Sequence, residues 1–120
     1  MISFDSKNKT FKLDTPNTSY VIGVVDFDQL VNLYYGDKIA DTEGLEARSF
    51  RPRCASFSPL TSEYNTDAHD FSPDCAPMEY GCNGCADFIK SALSIRNVDG
   101  NTVTDMRYEG YRIYAGKPSI

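Results

Sequence analysis

The sequence predicts an all-β, antiparallel fold with a long irregular central loop. Three observations carry that reading. Runs of β-branched and aromatic residues alternate with polar ones at a period of two near both ends of the chain. Short turn-forming clusters separate those runs at hairpin spacing. The stretch from Asp41 to Ala86 shows little periodicity and holds four of the six prolines, Pro52, Pro59, Pro73 and Pro77.

The elements follow in order. "TFKLDT" at 10–15 alternates apolar and polar residues, as a half-buried strand does. Ser6 to Lys9 separate it from Ile2–Phe4, which makes an opening hairpin. Pro16-Asn17 is the next turn. "TSYVIGVVD" and "QLVNLYYG" then form a second hairpin about Phe27-Asp28. Apolar residues fall on both faces of these strands, so covering is expected on both sides. After the central loop, "ALSIRNV" again alternates, although Phe88, Ile89, Ala92 and Leu93 also fit one helical face. Asp99-Gly100 predicts a type I′ hairpin turn. The last run, from Thr102 to Pro118, changes phase between Met106-Tyr108 and Tyr111-Ile113. A β-bulge at Glu109-Gly110 would restore one buried face.

Composition bounds the function. A length of 120 residues suits one domain with a modest core. The net charge of -5 argues against a nucleic-acid partner, because phosphate binding rests on dense Lys and Arg. No apolar run reaches a membrane span, and "MISFDSKNKT" has no secretory signal pattern. The chain therefore reads as cytoplasmic, with reduced thiols as the default.

The motif most open to a chemical reading is "GCNGC" at 81–85. Cys82 and Cys85 have zinc-ligand spacing, and Cys75 and Cys54 would complete a four-sulfur tetrahedron. The competing reading is a turn in which Gly81, Asn83 and Gly84 supply positive φ and the thiols are small neutral side chains. His69, the single histidine, is flanked by Asp67 and Asp70 but has no nucleophile signature beside it. The carboxylates are scattered, so no catalytic pair is selected.

Dispersed segments resemble one family. "FSPDCAPMEYGCNGCADF" at 71–88 is similar to the F-S-x-D-x-x-x-x-E-Y-x-x-x-G-x-x-D-F pattern of glycoside hydrolase family 36 α-galactosidases. "FKLDTPNTSY" at 11–20 and the L-x-x-L-Y-x-G spacing after it resemble the family's opening. "ASFSP" at 55–59 resembles its loop signature, and "TVTDMRYEGYRIYAGKP" at 102–118 resembles a later segment. Cys82 and Cys85 then occupy variable slots, whereas Gly84, Asp87 and Phe88 occupy motif slots. Cys54, His69 and Ile89 depart from the family pattern, where Asp, Arg and Arg are common.

The resemblance implies a β-sandwich that is part of an N-terminal supersandwich, spanning residues 1–120. The catalytic (β/α)8 barrel and the C-terminal β-domain would lie elsewhere in the parent, so no catalytic residue is expected in this chain. The parent would hydrolyse terminal α-linked galactose from oligosaccharides by a retaining mechanism, without a cofactor, as a homo-tetramer. Arg53 and Phe57 are the loop candidates for substrate binding. No metal is expected, with Cys54, Cys75, Cys82 and Cys85 as the alternative set. A stand-alone sugar-binding module and a small zinc-binding interaction domain are the competing functions.

Overall fold

In the computed structural model, the described residues are 1–46, 73, 76–84 and 90–116. Strands β1 (Ile2–Asp5), β2 (Thr10–Asp14), β3 (Thr18–Val25) and β4 (Gln29–Asp37) form one antiparallel sheet in chain order. The all-β antiparallel expectation is met, and both predicted hairpins form where expected. β1 pairs with β2 from Ile2 opposite Leu13 to Asp5 opposite Thr10. β3 pairs with β4 from Thr18 opposite Asp37 to Val25 opposite Gln29.

Each turn has a local cause. Asp5 accepts from the Lys7 backbone N–H at 2.9 Å and from the Asn8 side chain at 2.8 Å, which folds the chain back after β1. Thr15 Oγ1 accepts from the Thr18 N–H at 2.9 Å and closes the Pro16-Asn17 turn. Between β3 and β4, Phe27 and Asp28 both take left-handed backbone angles, φ 61° and 57°. The Gln29 N–H reaches back to the Asp26 carbonyl. This is the primed geometry that matches strand twist, built without glycine.

The two faces of the sheet are covered differently. On one face Val21, Val25, Val31, Leu33 and Ala76 form the buried core, joined by Phe27, Tyr34, Ile39, Leu45 and Met78. On the other, Phe4 and Phe11 stack with ring centroids 4.5 Å apart, and Tyr111 lies 4.6 Å and 5.0 Å from them. Tyr108 reaches Phe11 at 6.1 Å. The expectation of two-sided covering is met.

The later part of the chain differs from its sequence pattern. Among the described residues, 90–116 hold no strand, and the ladder contact there is a single parallel bridge between Cys82 and Leu93. The Asp99-Gly100 turn does form, but as a three-residue loop. The Asn97 N–H donates to the Asn101 carbonyl at 2.8 Å, the Gly100 N–H donates to the Asn97 carbonyl at 2.9 Å, and Gly100 carries φ +86°. The arms beyond it turn towards the 81–84 loop, where the Ala92 N–H binds the Gly81 carbonyl and the Thr104 N–H binds that of Asn83. Gly110 is not among the positive-φ residues and has nothing within 4 Å of a Cβ. A bulge needs a paired strand to interrupt, and none lies beside Gly110 among the described residues.

The bulge that does occur lies in β4. Val21 opposes Tyr34 while Ile22 opposes Asn32, so Leu33 is the extra residue. The insertion moves Tyr34 onto the core side and puts Tyr35 opposite Tyr20, with ring centroids 5.8 Å apart.

Candidate functional site

The sequence-derived candidates divide sharply. Arg53, Phe57, Cys54, Cys75, Cys85 and His69 all lie outside the described residues. Cys82 lies within them, is buried, and is a free thiol whose Sγ–H donates to the Tyr80 carbonyl at 3.6 Å. Among the described residues, no three His, Cys, Asp or Glu side chains gather closely enough to hold a metal ion. Of the turn residues in "GCNGC", Gly84 carries the positive φ, +91°. Asn83 ties that loop to the following segment, donating from Nδ2 to Thr102 Oγ1 at 2.6 Å.

The polar groups of the sheet converge instead on two neighbours in β3. Ser19 is fully buried on the core face. Its Oγ accepts from the Ile39 N–H at 3.1 Å and its hydroxyl donates to Asp14 Oδ1 at 2.6 Å. Asp14 also pairs with Lys12 at 3.2 Å, and Lys12 Nζ donates to the Ala40 carbonyl at 3.2 Å. The Ser19 hydrogen bond, with Lys12 assisting, holds the Asp14 carboxyl below its ordinary range. These contacts, with the Lys38 N–H on the Asn17 carbonyl at 2.9 Å, bind the chain just after β4.

Tyr20 points to the opposite face, as successive strand residues do. Its hydroxyl donates to the Glu79 carboxylate, 2.5 Å from Oε1 and 2.6 Å from Oε2. Burial pushes the phenol pKa up, and the adjacent carboxylate adds to the shift. Glu79 itself extends the sheet. Its N–H donates to the Leu30 carbonyl at 2.9 Å, the Asn32 N–H donates to the Pro77 carbonyl at 2.7 Å, and Met78 bridges Val31. Residues 77–79 therefore cap the outer edge of β4, which would otherwise present free backbone groups.

The third feature is the hairpin end of the sheet. An open cleft of about 420 Å³ is lined by Lys7, Lys9, Asp26, Phe27, Asp28 and Glu46 among others. A second cleft of about the same volume shares Asn8 and Glu46 with it. Phe27 packs on the core, so charged and amide groups dominate the first lining. Its floor is braced from the far end of the chain: the Tyr108 N–H donates to the Asp28 carbonyl at 2.8 Å. Gln29, buried, donates from Nε2 to Asp105 Oδ1 at 3.1 Å, and Asp105 pairs with Arg107 at 2.8 Å. These residues orient backbone and fill polar valences, and they make no nucleophile–base pair.

Sequence reasoning passed over the Ser19, Tyr20 and Glu79 ties. Their letters stood in the "TSY" and "EY" motifs, but nothing in a linear pattern pairs residues 59 positions apart.

Comparison with known proteins agrees with this placement. The model of the glycosyl hydrolase family 36 N-terminal domain matches residues 28–120. Alpha-galactosidase AgaA of Geobacillus stearothermophilus is 35% identical over 121 residues, taking in 99% of this chain and 16% of AgaA. The galactosidase domain of the alpha-galactosidase-sucrose kinase AgaSK superposes with a TM-score of 0.81 at 28% identity, covering 100% of this chain and 16% of that one. A crystal structure of an AgaA variant in complex with raffinose gives a TM-score of 0.76 at 34% identity, covering 92% of this chain and 15% of that one. The chain thus spans about one sixth of the length of these relatives, and it belongs to glycosyl hydrolase family 36 as part of its N-terminal domain.

Proposed function

We propose that residues 1–120 act as a non-catalytic N-terminal β-unit of an α-galactosidase. The whole enzyme releases terminal α-linked galactose from oligosaccharides of the raffinose class by a retaining mechanism, with the catalytic (β/α)8 barrel and a C-terminal β-domain supplied by the remainder of the parent. The observation that carries this reading is the whole-chain match to α-galactosidases in both sequence and fold. A retaining glycosidase needs two carboxyl groups flanking the bond. The carboxylates with partners on the sheet instead hold turns, Tyr20, Ser19 and Arg107.

In this reading the parent is a cytoplasmic homo-tetramer that needs no cofactor. Arg53 and Phe57 contact the sugar in a neighbouring subunit's pocket. Among the described residues no helix is long and apolar enough to cross a membrane.

The test is an assay of a chromogenic α-galactoside with the 120-residue chain and with the full-length reading frame. The full-length protein is expected to turn the substrate over and the short chain to be inactive. Turnover that copurifies with the short chain, or a full-length protein with no such activity, overturns the proposal.

A further inference from the structure

The "GCNGC" loop holds the one Asn-Gly pair of the chain, Asn83-Gly84. Asn83 is exposed, and the glycine after it has no side chain to screen its own backbone nitrogen. We propose that Asn83 is a self-modification site, where the chain converts the side-chain amide to a carboxylate without an enzyme, and that Thr102 sets the pace. The Gly84 nitrogen attacks Cγ of Asn83. A bond forms between that nitrogen and Cγ, and the Cγ–Nδ2 bond breaks. Nδ2 leaves as ammonia, carrying off the proton that the Gly84 nitrogen gives up. Water then opens the cyclic imide at either carbonyl, which yields aspartate or isoaspartate. No oxidant or reductant takes part.

Thr102 restrains the reacting amide. Asn83 Nδ2 donates to Thr102 Oγ1 at 2.6 Å and to the Thr102 carbonyl at 3.4 Å. The Asn83 carbonyl accepts from the Thr104 N–H at 3.0 Å. Closing the imide ring must bring Cγ within bonding distance of the Gly84 nitrogen, and each of these bonds resists that movement. Gly84 is confined as well, since a Cβ on it would meet Val103 Cγ2 at 2.8 Å. The product then undoes the clasp that slowed it. A carboxylate has no N–H to offer the Thr102 carbonyl, and isoaspartate adds a methylene to a main chain that is tied to residues 102–104. Asn8 and Asn17 are exposed too, but Lys9 and Thr18 follow them, and those side chains crowd the attacking nitrogen.

The test ages the full-length protein at neutral and at mildly alkaline pH, folded and in urea. Mass spectrometry of its peptides then reads conversion and isoaspartate at each asparagine. The folded protein is expected to convert at Asn83 and not at Asn8 or Asn17, faster at the higher pH and more slowly than in urea. Thr102→Val keeps the shape of the side chain and removes its hydroxyl. It should speed conversion about three- to tenfold, the effect of losing one neutral hydrogen bond. Thr102→Ser keeps the hydroxyl and should stay within about twofold of the unaltered protein. Amide exchange at Thr104 should quicken in the converted chains. No conversion at Asn83 in the folded protein, or aspartate without isoaspartate, overturns the site. Equal rates for Thr102→Val and the unaltered protein overturn the role of Thr102, and unchanged exchange at Thr104 overturns the loss of the clasp. Should Thr102→Val fail to fold, the contrast between folded protein and urea decides, and equal rates there reject the restraint.

Discussion

Leu33 fills the space beside Gly23: a Cβ on that glycine would stand 2.7 Å from Leu33 Cδ1 and 3.2 Å from its Cγ. The bulge in β4 produces the closeness, because Leu33 is the extra residue in the register and its side chain lies over Gly23 of β3. Leu33 is itself buried, so its side chain has little room to yield. Gly23→Ala is expected to destabilise the chain by about 1–3 kcal/mol through overpacking. Urea midpoints measure it. A variant as stable as the parent would show that the bulge relaxes freely.

Gly84 and Gly110 make a second pair. Gly84 has φ +91°, and a Cβ there would meet Val103 Cγ2 at 2.8 Å. Gly110 has neither constraint. Gly84→Ala should cost about 1–3 kcal/mol, the range for a strained backbone position. Gly110→Ala should lie within about 0.5 kcal/mol of the parent. Equal midpoints for the two would contradict the packing of the 81–84 loop on residues 102–104.

Adjacent left-handed residues should respond with opposite signs. Asp28 accepts from the Tyr108 N–H with its backbone carbonyl, and among the described residues no hydrogen bond of its side chain is seen. Asp28→Gly relieves a left-handed L-residue and should raise stability by about 0.5 kcal/mol, after the entropy that glycine loses on folding. Phe27 packs on the core. Phe27→Gly should cost about 2 kcal/mol or more despite relieving the same strain. Thermal midpoints moving in the same direction would reject this account.

Acid should erase the contribution of Asp14. Its folded pKa lies below the ordinary value of 3.8, through the Ser19 hydroxyl first and Lys12 next. A depressed carboxylate contributes stability that is present above the unfolded pKa and lost as pH falls through the folded one. Asp14→Asn should therefore be less stable than the parent at neutral pH, with the gap narrowing below pH 3.8. Urea midpoints at about pH 7 and about pH 2.5 test the sign. A gap that persists unchanged in acid would mean that the charge is not what Ser19 and Lys12 recognise.

Cys82 should behave as a packed apolar group. It is buried, and its backbone bridges that of Leu93, so Cys82→Ala should cost about 1 kcal/mol in lost burial. A chelator should leave the unfolding midpoint where it was. Stoichiometric zinc in the purified chain would restore the four-cysteine reading.

The strands and turns of the first 37 residues were legible because each strand pairs with its neighbour in the chain. Alternation at period two marks "TFKLDT", and short turns at Lys7-Asn8, Pro16-Asn17 and Phe27-Asp28 leave each strand one neighbour within reach. The candidate site was legible only as letters. Ser19, Tyr20 and Glu79 stood in family motifs, yet their contacts join residues far apart in the chain, and no spacing rule encodes them.

What the sequence by itself determined is therefore the four strands of the first 37 residues, the hairpin order and the family. Tertiary structure alone decided the rest. It put the bulge at Leu33 instead of Glu109-Gly110, because an inserted residue is tolerated where Gly23 leaves a gap and a partner strand exists. It seated Met78 and Glu79 on the open edge of β4. It also laid Tyr108 and Tyr111 over the Phe4–Phe11 face without a strand among the described residues of 90–116. The physical reason is the same each time: alternation prepares a segment to be a strand, but ladder hydrogen bonds require a second backbone at the right distance, and that is a property of the folded chain.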